Sequence, residues 1–219
     1  MQRWPFWRRC RAKVFAFPPV PKELYIIRHG QTELNRLGLV QGSGVDADLN
    51  DTGREQARKF FLRHASAGFD KVYTSALKRS QQSVEKFTQL GIATEALAEF
   101  NEISWGNKEG RPITPAENEE YYERLQAWAA GQTHLPFAGG ESPDEVAVRL
   151  GRGLQMLFAR PEEEKVLLCM HGRAMRILLC LLLGYPLSSM EAFPHNNLCL
   201  YKAIWTGTRF QLPICNQQV

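Results

Sequence analysis

From residue 24 onward, short apolar runs alternate with longer amphipathic stretches. The first run, Leu24-Tyr25-Ile26-Ile27, stops at Arg28-His29-Gly30, the pattern of a buried strand entering a turn. FDKVYT (69–74) and KVLLCM (165–170) read as further strands, with a weak one near 93–97, one from Leu198 to Trp205 and a short one near 208–212. A helix opens at Asp51 to Glu55 with a capping residue and a first-turn acid, and Ala57, Phe60, Phe61 and Ala65 form its apolar side. Ser75 to Arg79 turns into a helix ending near Gly91, and others are expected near 116–130, 142–160 and 173–183. Residues 30–50 and 102–110 read as loops. Strands alternating with helices predict right-handed crossovers and an α/β fold, a three-layer α/β/α sandwich with a mainly parallel central sheet.

Composition changes this picture at one end only. The 219 residues suffice for one domain with a substantial core. The longest apolar run, Ile177 to Leu183, is too short for a membrane span. Residues 1–22 are basic, aromatic and proline-rich, read here as a mobile extension, with a membrane-surface or partner-binding arm as the alternative. Residues 23–214 form the expected single domain. Five basic residues before Lys22 (Arg3, Arg8, Arg9, Arg11, Lys13) account for the net +4, and without them the chain stands at −1. A near-neutral body argues against nucleic acid as a partner. The five cysteines (Cys10, Cys169, Cys180, Cys199, Cys215) are odd in number and widely spaced, as expected of a reduced, cytoplasmic protein.

Two strands end alike, one at Arg28-His29-Gly30 and one at His171-Gly172. A third ends at Thr74-Ser75, with Arg79 in the first turn of the next helix. Parallel strands place these ends on one sheet edge, where helix N-termini aim free N–H groups outward. The pattern predicts an anion site. Each residue also has a plain alternative: His29 and His171 as satisfied buried histidines, Arg79 as a solvated helix residue, Glu102 as an ordinary loop acid. A metal site of two histidines and a glutamate is disfavoured by the arginines, which repel a cation. His64 and His134 are expected at the surface, and His195 near the site without a catalytic role.

The segments RHGQTELN (28–35), QG (41–42), LNDTGREQA (49–57), YTSALKRS (73–80), NEISWGNKEG (101–110), GGES (139–142) and MHGRAMR (170–176), in this order, resemble the histidine phosphatase superfamily, which includes the cofactor-dependent phosphoglycerate mutases. The resemblance implies a phosphoglycerate mutase-like fold and a phosphatase acting on a small phosphorylated metabolite. His29 would be the nucleophile, Arg28, Arg79 and His171 the phosphoryl clamp, and Glu102 the general acid and base, with no metal. Asn35, Gln41, Gly42, Gly172 and Arg173 would add phosphate or substrate contacts. Residues 103–140 would cover the site and set specificity. Lys108 and Arg173 depart from the common pattern, and either extend the positive field toward a second anionic group or point to solvent. The mutase alternative would require 2,3-bisphosphoglycerate as cofactor. The 69 residues from Glu102 to His171 form a short cover that favours hydrolysis. A silent binding module on the same fold is a third possibility. Neither the physiological substrate nor the oligomeric state is readable from the sequence.

Overall fold

The computed structural model describes residues 20–218; the chain ahead of them, with Cys10, lies outside the described residues. Six strands form one sheet: β1 (Lys22–Arg28), β2 (Lys71–Thr74), β3 (Thr94–Ala96), β4 (Lys165–Met170), β5 (Leu200–Trp205) and β6 (Phe210–Gln217). Their order is β3-β2-β4-β1-β5-β6. The first four are mutually parallel; at one side β5 pairs antiparallel to β1 and β6 antiparallel to β5. The sheet is therefore mainly parallel, as the strand–helix alternation predicts.

Side-chain alternation on the central strands feeds two cores. Leu24, Ile26, Val166, Leu168 and Met170 pack on one face with α5 (Pro143–Phe158) and α6 (Gly172–Leu183). Ile27, Val72, Leu167 and Cys169 pack on the other with Phe60 of α2 (Asp51–His64) and Val84 and Phe87 of α3 (Lys78–Gln89). Both faces are covered, which makes the three layers, and the expected helix near 116–130 is α4 (Pro115–Ala129).

Several local features differ from expectation. The loop after β1 contains a short helix, α1 (Glu33–Arg36), closed by a capping box between Thr32 and Asn35. Asn50 caps α2 and Asp51 supplies the first-turn acid. The final strand runs to Gln217 because Phe210, Leu212 and Ile214 turn alternately toward the domain. The sheet itself runs from Lys22 in β1 to Gln217 in β6. His64 is half-buried against Phe60, ring centroids 4.4 Å apart, rather than at the surface, whereas His134 is exposed.

The register sets the site. Arg28 pairs with Met170 at the last rung of β1 and β4, so His29 and His171 emerge side by side one residue later. The His29 N–H donates to the Met170 carbonyl at 2.9 Å, and the two imidazole centroids are 5.0 Å apart. Thr74 pairs with Cys169, which brings Ser75 and the start of α3 to the same edge.

Candidate active site

His29 is 3% exposed, and its Nδ1–H donates to the Gly30 carbonyl at 2.7 Å. That bond fixes the proton on Nδ1 and leaves the Nε2 lone pair free. Burial, then the Arg79 and Arg28 charges, hold the ring well below the ordinary pKa of 6.5. The turn is locked by close backbone approach. The Gly30 N–H donates to Ser83 Oγ at 2.9 Å, and a Cβ on Gly30 would lie 2.7 Å from the Gly53 carbonyl oxygen. Gly30→Ala is therefore expected to destabilise the fold by about 1–3 kcal/mol, read from urea unfolding, because backbone rather than a flexible side chain must give way.

His171 is fully buried. Its Nδ1 accepts from Arg79 Nε at 3.2 Å, so Nε2 carries the proton and donates to Ser75 Oγ at 2.7 Å. Ser75 in turn meets Ser80 Oγ at 2.7 Å, and Ser80 donates to the Leu77 carbonyl at 2.8 Å. Burial and the Arg79 charge again push the imidazole well below its ordinary range. Arg79 is buried too and bonds the carbonyls of Val45 (2.6 Å) and Gly42 (3.1 Å). Burial lowers its pKa to about 10, which leaves it charged at neutral pH. Gly42 thus serves the site by anchoring Arg79.

Arg28, His29, Asn35, Gln41 and Glu102 line one cavity of about 150 Å³, with Leu39, Val40, Trp105 and Tyr121 as its other walls. A larger groove of about 560 Å³ lies beside Gln81, Gln82 and Thr94, but none of the histidines faces it. Gln41 Nε2 lies 2.7 Å from Thr32 Oγ1, a hydroxyl that also accepts from the Asn35 N–H, while the buried Gln41 Oε1 has no partner. Turning the amide lets Thr32 donate to Oε1 and leaves the NH₂, in place of the oxygen, as the unpaired end. Asn35 Oδ1 accepts from Asn197 Nδ2 at 3.2 Å, and Asn197 also donates to the His29 carbonyl at 3.0 Å.

Glu102 sits at the N-terminus of α6. Its carboxylate accepts the N–H groups of Ile103 (2.9 Å), Arg173 (3.1 Å) and Ala174 (2.9 Å). A carboxylate at a helix N-terminus is favourably placed against the helix dipole. Gly172 opens this helix, and Arg173 contributes its backbone. The Arg173 side chain neither faces solvent nor stands free for a second anion: it pairs with Glu191 and lies over Trp105 and Trp128, 5.8 and 5.6 Å from their ring centres. Lys108 is likewise buried and paired, with Glu120 at 2.7 Å. The expected field toward a second anion is therefore largely neutralised at these two residues.

Arg149 was not a candidate from the sequence, yet it secures the acid loop. Its guanidinium bonds the carbonyls of Glu99, Asn101 and Glu102 (2.9, 2.8 and 3.0 Å) and the Glu141 carboxylate. Glu109 ties the same loop to the first one, accepting from the N–H groups of Trp105 (2.7 Å) and Gly44 (2.8 Å). Asn197 also escaped prediction. It precedes Leu198, whose left-handed φ of 53° is uncommon for a residue with a side chain, and no sequence pattern marks that turn. Among the described residues no group of three His, Cys, Asp or Glu is arranged to hold a metal, and no helix is long and apolar enough to cross a membrane.

Comparison with known proteins places this geometry. Residues 24–218 match the family model described as the histidine phosphatase superfamily, branch 1. The chain is 35% identical over 159 residues to fructose-2,6-bisphosphatase TIGAR B of Danio rerio; the match covers 69% of this chain but only 57% of that relative's length. It is 30% identical over 167 residues to the probable phosphoglycerate mutase GpmB of Cronobacter sakazakii, covering 75% of this chain and 76% of that one. Among solved structures, the alpha-ribazole phosphatase from Shigella flexneri superposes with a TM-score of 0.79 at 26% identity, over 89% of this chain and 96% of that one.

Proposed function

Because the chain belongs to the histidine phosphatase superfamily, branch 1, we propose that it hydrolyses small phosphate monoesters through a phosphohistidine on His29. The observation that carries this reading is the His29 ring itself. Its Nδ1–H is committed to the Gly30 carbonyl, which leaves Nε2 unprotonated; the ring feels the Arg79 and Arg28 charges, and the residue shares its cavity with Arg28 and Glu102. Nε2 attacks phosphorus and the ester P–O bond breaks. Glu102, a carboxylate at rest, takes a proton from the bound ester's monoanion and gives it to the departing alkoxide. Water then attacks the phosphohistidine, Glu102 takes a proton back, and inorganic phosphate leaves with Nε2 restored. Arg28, with the buried Arg79 and His171 behind it, stabilises the charge that spreads over the phosphoryl oxygens. The two guanidiniums do the work that a metal does elsewhere, so the proposed route uses none.

The relative named as a probable mutase keeps phosphoglycerate mutase as the second reading. The pairing of Lys108 with Glu120 and of Arg173 with Glu191 favours hydrolysis, since a bisphosphate cofactor needs cations for its second anionic group. Turnover of p-nitrophenyl phosphate in the presence of EDTA tests the proposal. A folded sample that hydrolyses no phosphate ester refutes it, and interconversion of monophosphoglycerates dependent on 2,3-bisphosphoglycerate supports the mutase instead. A cytoplasmic location fits the unpaired Cys169, Cys180, Cys199 and Cys215.

The buried histidines also set a pH dependence. His29 and His171 titrate well below 6.5 when folded, and His195 at about 3. As pH falls through about 6.5 the unfolded chain takes up protons at these residues and the folded chain does not, so stability is lost on acidification. The Tm is expected to drop between about pH 7 and pH 5, while His29 stays neutral and kcat/KM does not fall through loss of its lone pair. A Tm unchanged over that window contradicts the burial of three neutral imidazoles.

A further inference from the structure

Arg28 is held at one end of its guanidinium. Nη1 lies 3.1 Å from His195 Nδ1 and 3.5 Å from the carbonyl oxygen of the same residue, whereas the buried Nε has no partner among the described residues. In a guanidinium, Nε and Nη2 form the side-on fork that grips phosphate at two points. Anchoring at Nη1 leaves Nε, half of that fork, unpaired in a residue that lines the cavity with His29.

His195 is itself tightly placed. The two carbonyls before it are pinned: Arg176 Nε donates to Phe193 O at 2.8 Å and Tyr201 Oη donates to Pro194 O at 2.5 Å. Its ring rests on Gly172, where a Cβ would lie only 2.8 Å from Cε1. The imidazole accepts from a guanidinium, so Nδ1 carries a lone pair and the proton is on Nε2. A protonated ring would set N–H against N–H and strip Arg28 of its acceptor.

We propose that His195 is a positioning residue of the phosphoryl site, an uncharged acceptor that aims the Arg28 guanidinium without cancelling its charge. The consequence for turnover rests on the hydrolase reading above; the consequence for anion binding does not. The charged groups around the ring are Arg28 from β1, Arg173 and Arg176 from α6, and Glu191, which pairs with both α6 arginines. Burial and the three arginines push His195 down to about 3, so it stays neutral over the working range. A carboxylate here would bond Arg28 equally well but neutralise it, weakening its hold on phosphate. An alanine would leave the charge and remove the aim. Asparagine offers an uncharged acceptor close to the position of Nδ1.

Three variants separate these cases: His195→Ala, His195→Asn and His195→Asp, each checked for folding by circular dichroism and Tm. Binding of inorganic phosphate is measured by titration calorimetry, and kcat and KM are measured with p-nitrophenyl phosphate. The alanine variant is expected to bind phosphate about tenfold more weakly, the scale of one lost hydrogen bond to a charged group. Asparagine restores most of that loss, and aspartate at neutral pH binds no better than alanine. Should alanine not fold, the comparison of asparagine with aspartate still decides. A folded alanine variant with wild-type phosphate affinity, or an aspartate variant that binds as well as asparagine, overturns the proposal. A wild type that binds phosphate but hydrolyses no ester refutes the hydrolase reading alone, and the order of phosphate affinities still tests His195.

Discussion

Replacing His29 with alanine is expected to lower turnover by about 10⁴-fold or more, the order of loss that follows removal of a covalent nucleophile. The expectation comes from what remains. Arg28 is held by His195, Arg79 by Val45 and Gly42, and His171 by Ser75, none through the His29 side chain. The anion clamp should therefore survive, and inorganic phosphate should bind within a few-fold of wild type while kcat collapses. Calorimetry and steady-state kinetics on one sample check both halves. A variant that keeps substantial kcat would show that phosphoryl transfer goes directly to water.

The second large effect is expected at Glu102, and it depends on the leaving group. With Glu102→Gln, kcat on an alkyl phosphate should fall about 10²- to 10⁴-fold, because the alkoxide leaves without a proton. Formation of the phosphoenzyme from p-nitrophenyl phosphate should fall far less, since p-nitrophenolate leaves unassisted. Hydrolysis of the intermediate still lacks its base, so the phosphoenzyme should accumulate, seen as a burst of p-nitrophenolate followed by slow turnover. Equal losses in burst rate and in alkyl phosphate hydrolysis would remove Glu102 from proton transfer. Glutamine also sets an amide NH₂ where the carboxylate accepted from Ile103, Arg173 and Ala174, so a modest loss of stability should accompany the kinetic effect.

The sequence and the structure agree best where chemistry coincides with local pattern. His29 and His171 each follow an apolar β-run and precede glycine, and the parallel register then makes them neighbours. Arg79 is legible because it falls in the first turn of a helix after a strand end. Glu102 is not legible on local grounds: its place depends on a helix whose N-terminus lies 70 residues away in the chain, and only the motif order suggested it. Arg149 looks like any helix-surface arginine until α5 packs beside the 99–102 segment and three carbonyls converge on it. Lys108 and Arg173 neither extend a field nor face solvent, because Glu120 and Glu191, acids on other segments that no local pattern links to them, pair with them. Asn197 and His195 lie in a turn whose conformation is set by contacts with Arg176, Tyr201 and Arg28, information that no window of sequence around them contains.

On the proposed route the phosphoryl group passes through His29. Mixing the enzyme with a radiolabelled phosphate ester and quenching within the first turnover tests it most directly. The expected result is a protein-bound label that is stable in alkali, lost in acid, located on His29 and formed at least as fast as overall turnover. Steady hydrolysis with no such label at any time, or a label on a residue other than His29, would contradict it.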